Sequence, residues 1–185
     1  MANHVQLYNN LPSLQEAQAR FHNRQEIFEK LSPLLTRFSN KYGVCLVHRH
    51  CILDEGEKMV ATGNITQPQR DIEVHPLRWL ATGDPFEFTT DVTEPPPREL
   101  LESFQQIVGN QNILGLFYVH ERDRTGGVLA ERTEGRKNIV QIIPQPNSNS
   151  IVTGWINGQD GLVALLTCPG DIHSGDIHWS KEPST

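Results

Sequence analysis

The sequence predicts an α+β fold: N-terminal helices, a β-hairpin, one further helix, and a C-terminal antiparallel meander forming a curved sheet around an apolar pocket. Three observations carry this. Leu100, Leu101, Phe104, Ile107 and Val108 follow i, i+1, i+4, i+7, i+8, which is one apolar helix face. Residues 113–167 divide into five short stretches separated by turn signals such as Thr125-Gly126-Gly127, Glu134-Gly135 and Asn157-Gly158. Between 44 and 52 the chain reads VCLVHRHCI, apolar and β-branched, with two histidines two apart.

Residues 1–11 carry no strong pattern and read as an irregular lead-in. Ser13-Leu14-Gln15-Glu16 is a capping box, and Leu14, Ala17, Phe21, Ile27, Phe28 and Leu31 give a helical stripe over 12–31. Ser32-Pro33 predicts a second start, so a helix over 33–41 is expected, stopped by Gly43. The histidine stretch then forms a strand that Leu53-Asp54-Glu55-Gly56 turns back into residues 57–63. In that hairpin His50 meets Ala61 and His48 meets Gly63, leaving space above both rings. Residues 64–95 are broken by prolines and predict a long ordered insertion with short strands near 72–75 and 86–90. The helix at 98–108 ends at Gly109, and short connections arrange the five final strands as a meander. Residues 169–185 predict a polar, irregular end.

The 185 residues suit a single domain with a sizeable core. A net charge of −6 argues against nucleic acid and acidic membranes as partners. No apolar run reaches the ~18 residues of a membrane span, and the N-terminus lacks the pattern of a secretory signal. With an odd, sparse count of three cysteines, this predicts reduced thiols and a cytoplasmic setting. Cys45, Cys51 and Cys168 read as small core side chains. A homodimer stays open.

On a strand, His48 and His50 project from the same face. Neutral imidazoles so placed serve as general acid and base near neutral pH, or as two nitrogen ligands of a metal. The catalytic candidates are His48 and His50, with Tyr118 or His120 polarising an oxygen from the first meander strand. The first expectation is a cofactor-free dehydratase, isomerase or cyclase acting on an apolar or polyketide-like small molecule. The second is a divalent transition metal held by His48, His50 and Glu55. The third is a non-catalytic binding or assembly module presenting the Trp79–Phe88 stretch as an exposed patch. Glu131, Arg132, Glu134, Arg136 and Lys137 read as solvated cross-strand ion pairs. The duplicated GDIHS and GDIHW at 170–179 read as a solvated segment that binds metal weakly, with Trp179 able to anchor it.

Gly43-x4-His48-x-His50-x4-Glu55-x7-Gly63 resembles the first cupin motif, which implies His48, His50 and Glu55 as metal ligands. Its glycine spacings differ by one at each end, and no second cupin motif follows at the usual distance. The element order resembles the nuclear-transport-factor-like cone, whose enzymes hold a few His, Asp or Tyr residues in an apolar pocket without a cofactor. The wording LVHRHC, EGEKMVATGNITQP and ERTEGRKNI is similar to small uncharacterised proteins of filamentous fungi, which implies a biosynthetic role.

Overall fold

In the computed structural model, which describes residues 3–109 and 111–169, the chain is mixed α and β. The strands are β1 (Tyr42–Leu46), β2 (Lys58–Thr62), β3 (Ile65–Gln69), β4 (His75–Leu80) and β5 (Pro85–Thr89). After one long helix come β6 (Leu114–Tyr118), β7 (Val128–Glu134), β8 (Lys137–Ile143), β9 (Ser150–Gly158) and β10 (Gly161–Pro169). They close into a ten-stranded barrel in the order β1-β6-β4-β5-β2-β3-β8-β7-β10-β9, sealed where β9 pairs with β1. The open curved sheet of the cone is therefore replaced by a closed one. The closure depends on strands inside the supposed insertion: β3, β4 and β5 are wall strands. The prolines hid them. Pro76 and Pro85 sit at strand starts or beside irregular register, where a missing N–H costs little.

Among the described residues, four α-helices pack on the barrel: α1 (His4–Asn9), α2 (Leu14–Arg20), α3 (Arg24–Arg37) and α4 (Arg98–Val108). The predicted capping box holds: Glu16 N–H donates to Ser13 Oγ at 3.2 Å. The predicted helix over 12–31 is interrupted at Asn23, whose backbone is left-handed with φ 56°. Asparagine tolerates that conformation. The restart at Ser32-Pro33 does not occur, because α3 runs through Pro33 and the Ser32 hydroxyl donates to Asn157 Oδ1 at 2.7 Å. Nor does Gly43 stop a helix. Ser39 and Asn40, with φ 62° and 54°, make the turn, and Gly43 lies within β1.

Alternation along the strands divides two cores. Val44, Leu46, Leu114 and Leu116 face outward, against Leu14, Leu31, Leu35 and Phe104 of the helices. Cys45, Val47, Phe86 and Phe117 face the interior. Trp79, Phe86 and Phe88 are buried, so the expected exposed patch between 79 and 88 is absent. Only part of the meander forms: β7–β8 and β9–β10 are hairpins, but β7 also pairs with β10 in parallel.

The interior core is tight where β1, β6 and β4 meet. A Cβ on Gly115 would lie 2.4 Å from the Trp79 carbonyl oxygen, which is backbone and cannot turn aside. Gly115→Ala is expected to destabilise the barrel by about 1–3 kcal/mol, read as a lowered urea midpoint with an unchanged slope.

The N-terminal stretch is not an irregular lead-in. Helix α1 packs against the barrel and puts fully buried Tyr8 into the interior core. It holds the chain between β1 and β2, which is no hairpin, since β1 pairs with β6 and β9 and β2 with β3 and β5. The Leu53 N–H donates to Asn9 Oδ1 at 2.8 Å, and Asn9 Nδ2 donates to the Leu53 carbonyl at 3.0 Å. From the other side Arg136 donates to the Ile52 carbonyl at 2.9 Å and pairs with Glu57. Thus Arg136 and buried Glu131 leave the solvated ion-pair face expected for them, while Arg132–Glu134 remains an exposed pair.

His4 opens α1 with its ring edge-on to Phe88, 5.0 Å between centroids, and its buried Nε2 without a hydrogen-bond partner. Burial, helped by the Lys58 ammonium, lowers its pKa from 6.5 to about 4. A depressed histidine pKa means that the unfolded chain takes up the proton first. Stability is therefore expected to fall as pH drops from about 6.5 towards 4, and to be unaffected by this group above that window. His4→Phe should flatten that part of the stability–pH curve in urea titrations.

Candidate metal centre

Strand β1 ends at Leu46, and the chain then leaves the sheet. His48 and His50 therefore do not alternate on a strand, yet their rings meet, 4.7 Å between centroids and 66° between planes. Both are buried. The His50 N–H donates to Tyr8 Oη at 2.8 Å, so α1 sets the bend that brings the second ring back beside the first. The His48 Nδ1 lies 2.7 Å from the Leu46 carbonyl. A carbonyl can only accept, so the proton is on Nδ1 and the lone pair of Nε2 points away from the backbone.

That Nε2 faces Cys168, with Sγ at 3.6 Å. Cys168 is near the end of β10, fully buried, and reaches the histidines through the barrel's closure. One ligand atom from each of His48, His50 and Cys168 lies within 4.8 Å of the others. Parallel pairing of Thr167 with Ala130 carries Cys168 next to Glu131, whose Oε2 accepts from Sγ at 2.7 Å. Beyond His50 stands Glu87, with Oε1 3.9 Å from Nε2, and Arg78 Nε lies 2.8 Å from Glu87 Oε2. Buried Thr153 completes the surroundings, its Oγ1 3.7 Å from Cys168 Sγ.

Burial dominates the electrostatics. It raises Glu87 from 4.5 to about 7, even though the Arg78 guanidinium pulls the other way. Burial and the Glu131 carboxylate push the Cys168 thiol well above its ordinary range, so it keeps its proton unless a cation replaces it. Fully ionised, the cluster sets one guanidinium against two carboxylates.

The space touching both histidine rings is about 10 Å³, room for one water-sized atom, and it is lined by Arg78, Glu87 and Glu131. It is not the oily hollow expected beside the histidines. That hollow exists elsewhere. A cavity of about 520 Å³ occupies the barrel interior, lined from eight of the ten strands. Ala61 and Gly63 do line it, as small residues leaving space, but β2 pairs with β3 and β5 and not with the histidine segment. Tyr118 and His120 also line it, with ring centroids 4.9 Å apart. The large cavity does not bring Tyr118 and His120 to His48 and His50. Among the described residues, Arg78 and Glu131 are the two side chains that border both spaces. A third pocket of about 250 Å³, walled by Asn147, Ser148, Asn149 and Ser150, reaches Glu131 and Cys168 from outside.

Glu55 sits in an exposed turn, and its carbonyl accepts from Arg70. It does not join the histidines. Cys168 and Glu131 stand there instead, and neither carried a sequence signal. The duplicated Asp-Ile-His motifs and Trp179 lie outside the described residues. Comparison of the chain with protein-family models, with curated proteins and with solved structures finds no match.

Proposed function

We propose that this chain binds one divalent transition-metal ion through His48, His50 and Cys168, in a buried centre separated from the barrel cavity by Arg78 and Glu131. The observation that carries the reading is the His48–Cys168 separation. Ligands at ~2.0 Å (imidazole nitrogen) and ~2.3 Å (thiolate) from one tetrahedral ion lie about 3.5 Å apart, and Nε2 and Sγ are 3.6 Å apart. The Leu46 carbonyl fixes the His48 tautomer as an outer-shell partner does at metal sites. Charge supports it too: a divalent ion that displaces the thiol proton brings the ionised Arg78, Glu87, Glu131 and Cys168 set to neutrality. Imidazole and thiolate favour zinc, cobalt or copper over magnesium or calcium. With three protein ligands, a fourth would come from a water in the one-atom space or from the neighbouring Glu131.

The cofactor-free alternative, with the histidine pair as acid and base, is less well supported. The space beside both rings is one atom in size, so an organic substrate does not reach them. Metal analysis of the purified chain tests the proposal. About one zinc or similar ion per chain is expected, with loss in His48→Ala and in His50→Ala. A chain that neither carries metal nor competes with a chelator for zinc at neutral pH would overturn it.

A further inference from the structure

We infer that the barrel interior binds an uncharged, mostly hydrocarbon molecule with a hydroxyl or carbonyl group at one end. This extends the metal reading by naming what lies across Arg78 and Glu131 from the ion, but the cavity argument holds with or without the ion. At about 520 Å³ the cavity falls within the ~300–1,000 Å³ of small-molecule sites. Leu77, Phe117, Leu129, Val140, Ile142 and Leu165 supply an apolar wall. Each methylene buried there tightens binding by about fourfold.

One polar end is set by the two groups shared with the metal cluster; His120, Arg122 and Asp123 also line the cavity, where the Arg122 guanidinium is already engaged by Asp91. Arg78 has its guanidinium carbon 5.3 Å above the Phe117 ring and its side chain only 15% exposed. Its charge is already engaged by Glu87 at 2.8 Å, and Glu131 acts on it from further away. A ligand carboxylate would add a third anion beside one guanidinium in a poorly hydrated place. A ligand ammonium would have to lose its water next to Arg78. A hydroxyl meets neither penalty, since it donates to Glu131 and accepts from Arg78, and a carbonyl accepts from Arg78 alone. The rest of the ligand then points along the apolar wall towards Ile142, which is 59% exposed and marks the open side.

Displacement of Nile red, a neutral apolar dye, by 1-dodecanol and by dodecanoate tests this on the full chain. Dodecanol is expected to displace the dye at no more than one tenth the concentration of dodecanoate. Leu129→Trp and Ala61→Trp, which fill the cavity, should lose dye and dodecanol binding while keeping the wild-type circular dichroism spectrum. Glu131→Gln should narrow the alcohol-over-acid preference. Equal or tighter binding of dodecanoate overturns the inference, as does binding unchanged in both folded tryptophan variants. If neither tryptophan variant folds, an alcohol-over-acid preference unmoved by Glu131→Gln overturns it. Dodecanol binding retained by a folded His48→Ala protein that has lost its metal supports this inference separately from the metal reading. No binding to a metal-loaded wild type sinks this inference alone.

Discussion

Cobalt(II) added to the wild-type protein is expected to give a sulfur-to-metal charge-transfer band in the near ultraviolet, and Cys168→Ser to abolish it. The Cys168 thiol is the sulfur of the His48–His50 cluster, with Sγ 3.6 Å from His48 Nε2. Cys45 and Cys51 are buried too, with thiols raised to about 11 and about 12, chiefly by burial. Neither belongs to the His48–His50 cluster, so Cys45→Ser and Cys51→Ser should keep the band. Serine in place of Cys168 holds the volume but offers a hydroxyl that does not ionise at neutral pH. Affinity for zinc should fall by more than the roughly 10–100-fold that loss of an outer-shell partner costs. Leu46 contributes its main-chain carbonyl to His48, so side-chain changes there should leave the band in place. A band that survives in Cys168→Ser would place the metal elsewhere.

Arg78→Met is expected to be the most damaging single change to stability. The side chain is flexible and apolar enough to fill the arginine's place over Phe117, so packing is largely kept. What is lost is the positive charge between Glu87 and Glu131, both buried. Removing one partner of a buried pair leaves an uncompensated charge, a cost of about 3–5 kcal/mol at alkaline pH and less at lower pH, where Glu87, already raised to about 7, takes up a proton. Replacing both partners, as in Arg78→Met with Glu87→Leu, should restore much of the loss, since well-packed apolar pairs are often as stable as buried ion pairs. Equilibrium urea unfolding of both single variants and the double variant gives the coupling energy as a thermodynamic cycle. A double variant as unstable as Arg78→Met would show that the arginine acts through shape.

The parts of the fold that local pattern decides were legible in the chain. Helix α4 and its stop at Gly109, the capping box of α2, and strands β7 to β10 within a residue or three of their ends follow from periodicity and turn residues. The barrel was not legible, because closure is decided by pairings between distant strands. Nothing in Tyr42–Leu46 announces Trp155 as a neighbour. The wall strands β3 to β5 were masked by prolines that a ladder tolerates at strand starts and bulges. The candidate site divides the same way. His48 and His50 stand out as a pair at close spacing, although the reason they meet is a bend fixed by Tyr8 and not strand alternation. Cys168 and Glu131 are invisible to any local reading. Each is unremarkable in its own strand, and only the parallel β7–β10 pairing sets them together.

The His48–Cys168 contact joins residues 120 positions apart, across the seam where the first strand meets the last pair. Such non-local, partly parallel pairing is slow to form, because loop entropy is spent before the contacts return it. The centre can therefore assemble only after almost the whole chain has been ordered, and the unfolded polypeptide offers no preformed set of ligands. An ion bound there would oppose reopening of the seam while doing little to hasten its formation. Metal should then reveal itself in the unfolding limb of the kinetics, with refolding rates nearly unchanged.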